Sequence, residues 1–171
     1  YSAQNIEKRY PVPIRWFEKW ALKGASAVYV CNVEAGQILR RKGLRGETPL
    51  IPLGVDIDQF APDPHRTQPR KRPIVGYLGR LEQHKGVEHL LQAAAQNRDW
   101  QLEISGDGPD RARLQALAST LGISERTTFL PFASGAELAE RYRRLDVLAV
   151  PSVPTAGWIE QFGRVVVEAM A

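Results

Sequence analysis

Ile74-Val75-Gly76-Tyr77-Leu78 runs directly into Gly79-Arg80-Leu81-Glu82-Gln83-His84-Lys85-Gly86, and then into Val87-Glu88-His89-Leu90-Leu91-Gln92-Ala93-Ala94. The first five residues form a short apolar run of the kind a strand buried on both faces requires. The last group places Val87, Leu90, Leu91 and Ala94 on one helical stripe, so the chain changes period from strand to helix across a Gly-bounded loop. The same alternation continues downstream. Trp100–Ser105 reads as a strand, and Arg111 to Leu121 as a helix with Leu114, Leu117 and Leu121 inward. Thr127–Leu130 is a strand, Ala136 to Arg144 a helix, Val147–Val150 a strand, and Phe162 onward a helix. Strands alternating with helices predict an α/β fold, a Rossmann-like parallel sheet with helices on both faces.

Upstream the pattern is less regular. Ile14 to Lys23 reads as a helix with Ile14, Phe17 and Ala21 on one stripe, widened by Trp16 and Trp20. Ala27–Cys31 reads as a short buried strand, Asn32 as the cap of a helix reaching about Lys42, and Leu50-Ile51 as a second short strand closed by Pro52 and Gly54. The aromatic stripe beside Arg15, Lys19 and Lys23 is open to two readings. One is a core-facing helix of a larger domain, which is favoured. The other is a peripheral contact with a membrane surface. Pro-rich residues 61–73 mark a boundary, so the chain divides into residues 1–58 and 59–171.

Composition narrows the function. The 171 residues are 43% apolar and 25% charged, which suits a packed core and excludes a disordered chain. One cysteine, Cys31, excludes an internal disulfide and a Cys-rich zinc module. No stretch of about 20 apolar residues spans a bilayer. A soluble, reduced compartment is the default expectation, with the inner face of the membrane as its alternative. The only Met is Met170, and the apolar pattern Val165-Val166-Val167-Glu168-Ala169-Met170-Ala171 ends without a closing Gly, Asn or Pro. The expectation is therefore a fragment. The net charge of +4 is small, and the basic run Arg66 to Arg72 is broken by prolines with no aromatic to stack bases, so nucleic acid is not an expected partner.

The chemistry should lie beyond the C-terminal ends of the strands, where parallel sheets bind ligands. Gly79-Arg80…Lys85-Gly86, Gly106-Asp107-Gly108-Pro109 and Glu160-Gln161-Phe162-Gly163 all fall at that edge. Glycines allow close backbone approach, two cations offer charge, and helix N-termini offer N–H groups, so a phosphorylated ligand is expected. Gly106-x-Gly108 is only part of a dinucleotide fingerprint, because Arg111 replaces its third glycine. Asp56-Ile57-Asp58 has the form of a metal–nucleotide motif, but its Gly/Pro-flanked position favours a turn. His65 and His89 read as surface residues, while His84 lies in the cationic loop where a ligand could touch it. No metal site is expected.

Four ordered stretches carry a resemblance. They are Pro52-Leu-Gly54-Val55-Asp56…Phe60, Gly76-Tyr-Leu-Gly79-Arg80-Leu81…Lys85-Gly86, Gly106-Asp-Gly108-Pro109 and Glu160-Gln-Phe162-Gly163-Arg-Val-Val-Val-Glu168-Ala169-Met170-Ala171. Together they resemble the retaining family 4 glycosyltransferases of the GT-B fold. Leu53 stands where that family usually has Asn, and Cys31 where Ser is common. The resemblance implies two Rossmann-like domains facing across a cleft. Residues 1–58 would be the last piece of the N-terminal acceptor-side domain, and residues 59–171 most of the C-terminal domain that binds the nucleotide-sugar. It further implies that Arg80, Lys85, Gly163, Arg164 and Val165 hold the donor diphosphate. Glu168 would take the ribose, Glu160 would act at the donor sugar, and Gly79, Gly106, Gly108 and Phe162 would shape the pocket. The nucleotide-sugar is a co-substrate, so no cofactor or metal is implied. The acceptor, whether glycan, lipid or small molecule, is not specified. A non-catalytic nucleotide- or phosphosugar-binding module, and a GT-B phosphorylase or epimerase relative, remain alternatives.

Overall fold

The computed structural model describes residues 11–52, 54–65, 70–155 and 163–171. These residues form two compact units, one ending at Gly54 and one beginning at Val55.

In the first unit, α1 is Val12–Gly24 and α2 is Val33–Arg41. Asn32 caps α2 as its side chain suggests, its Oδ1 accepting the Ala35 N–H at 2.8 Å. The two expected strands are reduced to isolated parallel bridges, Ala27 with Glu47 and Val30 with Leu50. Only Val30 of this pair is buried, while Tyr29, Leu50 and Ile51 are exposed. The core of the unit is Leu22, Val30, Ala35, Ile38, Leu39 and Leu44, which covers one side of the bridged segments. Trp16, Phe17 and Trp20 are 70%, 73% and 78% exposed, while Leu22 on the same helix is buried. Among the described residues no helix is long and apolar enough to cross a membrane.

The second unit holds four parallel strands in the order β3-β2-β1-β4. They are β1 Ile74–Leu78, β2 Gln101–Ser105, β3 Thr127–Leu130 and β4 Val147–Leu148. All five residues of β1 are buried, as its central place in the sheet demands. Leu78 is in register with Ser105, and Ser105 with Leu130, so the ends of three strands line up. Helices α3 (Val87–Gln96) and α4 (Arg111–Thr120) cover one face. There Val87, Leu90, Leu91, Ala94, Leu114 and Ala118 pack against Val75, Tyr77, Leu102 and Ile104. Leu117 and Leu121 are only partly buried, because Ala118 takes the inward position expected of them. Each fully buried Leu or Ile contributes about 1.5–3 kcal/mol of apolar burial.

Helix α5 (Gly135–Arg144) lies on the opposite face, with Leu138 and Tyr142 against Ile74, Leu78 and Leu145. Strand β4 is shorter than the expected Val147–Val150. The Ala149 N–H still reaches the Gly76 carbonyl at 2.8 Å, after which the Val153 N–H bonds the His84 carbonyl at 2.9 Å. Helix α6 is Arg164–Met170. It starts after Phe162, which lies outside the described residues.

Candidate functional site

The strand order determines where a ligand can enter. The chain builds outward from β1 to β2 and β3, then returns through α5 to place β4 on the other side of β1. Crossovers that diverge on either side of a strand leave a crevice at its C-terminal end. A cleft of about 390 Å³ opens there, walled by Leu78 at the end of β1, Gly79 and Arg80 after it, Ser105 of β2, the Phe132–Gly135 segment, and side chains of α5 and α6.

Arg80 presents its charge to this cleft. Its carbonyl accepts the Tyr77 hydroxyl at 2.7 Å, which pins the backbone, while the guanidinium is 75% exposed and pairs with Glu82 at 2.8 Å. Gly79 lines the cleft beside it, its N–H bonded to the Ser105 carbonyl at 3.0 Å. Lys85 sits one element further on, half-buried in the 3-10 turn Gln83–Lys85, and is not among the lining residues. His84 shares that turn, with Nε2 3.5 Å from Glu82.

Gly106 and Gly108 act on the loops rather than on the cleft wall. A Cβ on Gly106 (φ +147°) would lie 1.8 Å from the Gly79 carbonyl oxygen, and one on Gly108 would lie 2.2 Å from that of Leu81. The Leu81 N–H bonds the Asp107 carbonyl at 3.0 Å and the Asp110 N–H bonds the Leu81 carbonyl at 3.1 Å. The two glycine loops are thus laced together, and only residues without side chains allow it.

On the far wall, Gly163 takes a left-handed conformation (φ 61°, ψ 51°) that turns the chain into α6. Arg164, Val165 and Glu168 of that helix line the cleft. Glu168 is only 7% exposed. Its Oε1 is paired with Arg164 Nε at 2.9 Å, and its Oε2 accepts the Tyr142 hydroxyl at 2.7 Å. Tyr142 packs edge-on against Phe60, with ring centroids 5.7 Å apart. Burial, together with the Glu168 carboxylate, pushes the Tyr142 phenol far above its usual range. The hydroxyl therefore remains a donor to Glu168 at ordinary pH.

The structure thus brings Gly79, Arg80, Arg164, Val165 and Glu168 to one cleft, with Gly163 opening the helix beside it, whereas Gly106, Gly108 and Lys85 are not part of its wall. Glu160 and Phe162 lie outside the described residues. Asp56 serves a turn, its Oδ1 accepting the N–H groups of Asp58 and Gln59, each at 3.1 Å.

Sequence reasoning passed over three residues. Tyr142 holds the central carboxylate. Arg111 donates to the carbonyls of Gly106 at 2.7 Å and Leu130 at 3.0 Å, and lies over the Phe129 ring. Arg141, itself buried, binds Ser105 Oγ, the Pro131 carbonyl and Glu137. The two arginines add donors to carbonyls at and just beyond the ends of β2 and β3, where the Leu130 carbonyl also accepts the Gly106 N–H and the Pro131 carbonyl the Ser105 hydroxyl. Arg111 in place of the third glycine was the available signal for the first; Glu137 four residues before Arg141 was a faint one for the second.

Comparison with known proteins agrees in fold and sequence. The Glycosyl transferases group 1 family matches residues 61–171. The D-inositol 3-phosphate glycosyltransferase of Mycobacterium sp. (strain KMS) is 40% identical over 131 residues, covering 69% of this chain and 28% of that protein. The structure of sucrose-phosphate synthase from Thermosynechococcus elongatus superposes with a TM-score of 0.72 at 31% identity, covering 95% of this chain and 42% of the other. Anabaena HepE, solved in complex with UDP, gives a TM-score of 0.75 at 26% identity, with 93% and 46% covered. The chain spans less than half the length of each of these proteins.

Proposed function

Since this chain belongs to the Glycosyl transferases group 1 family, we propose that it carries the donor site for transfer of a hexosyl group from a nucleotide-diphosphate-sugar to an acceptor. In this reading the reaction is of the retaining, family 4 type and needs no metal ion. The fold is α/β and corresponds to part of the GT-B architecture. Residues 59–171 are the donor-binding domain, and residues 1–58 the end of the acceptor-side domain. The observation that carries the proposal is a buried carboxylate, Glu168, facing the same cleft as two exposed guanidiniums, Arg80 and Arg164.

The roles follow from where charge develops. Departure of a nucleoside diphosphate places negative charge on the leaving oxygen in the transition state. Arg80 and Lys85 supply charge-assisted hydrogen bonds to that diphosphate, a task that a metal ion performs in other designs. The first N–H groups of a helix have no intrahelical partner, so the backbone of Gly163, Arg164 and Val165 adds donors of the same sign. Glu168 accepts the ribose hydroxyls. Glu160 orients the donor sugar and stabilises positive charge at the anomeric carbon.

Three experiments test this on a full-length enzyme carrying the sequence. UDP, the ligand of the HepE structure, is the first nucleotide to try, followed by a panel of nucleotide-sugars scored for release of nucleoside diphosphate. Glu168→Gln is expected to weaken binding of the bare nucleoside diphosphate, whereas Glu160→Gln leaves that binding nearly intact and lowers turnover. The reverse pattern would refute this allocation of roles. Chelation with EDTA is expected to leave turnover intact; activity lost in EDTA and restored by magnesium or manganese would point to a different catalytic design.

A further inference from the structure

The two partners of Glu168 differ in kind. Tyr142 belongs to α5, is half-buried, and is wedged against Phe60. Arg164 is 67% exposed and reaches Glu168 along one turn of α6 from the open side of the cleft. Helix stability does not explain an arginine at this position. A cation in the first turn opposes the helix dipole, and Arg placed four residues before Glu is the weaker order for an intrahelical pair. Yet the pair engages the one carboxylate oxygen that Tyr142 does not hold, and Glu168 offers little other accessible surface.

We propose that Arg164 is an exchangeable plug on the ribose carboxylate. Without donor, its guanidinium occupies Glu168 Oε1. When a nucleotide-sugar enters, the ribose hydroxyls take that oxygen and the guanidinium swings to the diphosphate, while Tyr142 keeps its hydrogen bond to Oε2 and fixes the carboxylate plane. This rests on the reading that Glu168 takes the ribose. The exchange makes recognition of the two ligand parts interdependent. A nucleoside alone must break the ion pair without replacing it. A nucleoside diphosphate restores the cation's partner through its phosphates and binds favourably. Arg164 thereby becomes a specificity-determining residue that selects phosphorylated donors over free nucleosides, and Tyr142 a positioning residue.

The test is a sign difference that a purely structural role would not produce. Calorimetry on the full-length enzyme would compare uridine, 2′-deoxyuridine and UDP, with the adenosine and guanosine series alongside. Wild type, Arg164→Leu, Arg164→Gln, Tyr142→Phe and Glu168→Gln would each be titrated. Removing the guanidinium is expected to tighten nucleoside binding by at least about two- to fivefold, the scale of an ion pair with both partners in solvent, because Glu168 itself is buried. The same change is expected to weaken nucleoside diphosphate binding by about tenfold, the scale of a hydrogen bond to a charged group. Tyr142→Phe is expected to weaken both ligands by a similar factor. If both Arg164 variants shift nucleoside and diphosphate in the same direction, or leave nucleoside affinity unchanged, the plug is overturned. Glu168→Gln separates the two readings, because it should abolish the preference for uridine over 2′-deoxyuridine. If that preference survives, the ribose assignment itself fails, whatever Arg164 does.

Discussion

Buried charge is expensive unless it is matched, and Arg141 and Glu168 are matched in different ways. Arg141 is buried against Ser105 Oγ, the Pro131 carbonyl and Glu137, a closed set of partners that leaves it nothing to offer a ligand. Glu168 is buried just as deeply, but one of its two partners is an exposed side chain at the cleft mouth. The first pattern supports a sheet edge, whereas the second is poised for exchange. Arg80 belongs with the exposed group: its backbone is pinned by Tyr77 while its guanidinium, paired with Glu82, stays largely in solvent. Arg80→Ala and Lys85→Ala are each expected to cost about 1.5–3 kcal/mol of nucleoside diphosphate binding. Calorimetry on the full-length enzyme and both variants checks this; unchanged affinity in both would remove the phosphate assignment.

At the scale of elements, Gly106 and Asn32 offer a contrast. Gly106→Ala forces a Cβ to within 1.8 Å of the Gly79 carbonyl oxygen at a φ of +147°. It is expected to destabilise by about 1–3 kcal/mol, as overpacking does, and to weaken nucleoside diphosphate binding by pushing the Gly79–Arg80 loop aside. Asn32→Ala removes the cap of α2 and is expected to cost about 1 kcal/mol of stability, with donor affinity unchanged. Denaturant titration beside a binding measurement separates the two; an Asn32→Ala variant that also loses nucleotide would overturn the division between the units. The strands and helices behind these sites were legible because β1 is a continuous apolar run and α3 a clean stripe, both driven by burial alone. The apolar stretch Ala27–Cys31 predicts a buried strand and Leu50-Ile51 a short one, yet both reduce to isolated bridges, since local apolarity does not reveal whether a second layer exists to cover it. Tyr142 was illegible for a related reason. An aromatic on a core-facing helix looks like packing, and nothing in its local sequence tells that its hydroxyl meets a carboxylate 26 residues later. Arg111 and Arg141 were hidden likewise, because a charged residue on a helix reads as solvated until the carbonyls it covers are located in space.

At the scale of the whole molecule, the chain spans 42% and 46% of the lengths of two structural neighbours that superpose on nearly all of it. Catalysis across a two-domain cleft depends on holding donor and acceptor within reacting distance, and such positioning can supply about 7–11 kcal/mol of a barrier. In the proposed reading the acceptor-side part is the first unit, which comprises, among the described residues, two helices and two isolated bridges. Its apolar stripe stands open, with Ile14, Phe17 and Trp20 at 52%, 73% and 78% exposure. Contiguous apolar surface of that kind favours association between molecules. The 171-residue chain expressed alone is therefore expected to be poorly soluble, to bind nucleotide-sugar weakly or not at all, and to show no measurable transfer. A side-by-side assay with a full-length enzyme carrying the same sequence checks this by sedimentation, calorimetry and release of nucleoside diphosphate. Good solubility with donor binding but no transfer would mean that the Arg80–Glu168 cleft is complete within this chain and that only the acceptor wall is wanting. Comparable turnover from the two proteins would be a stronger result, since it would locate both reacting groups within these residues and overturn the assignment of the acceptor site to a separate domain.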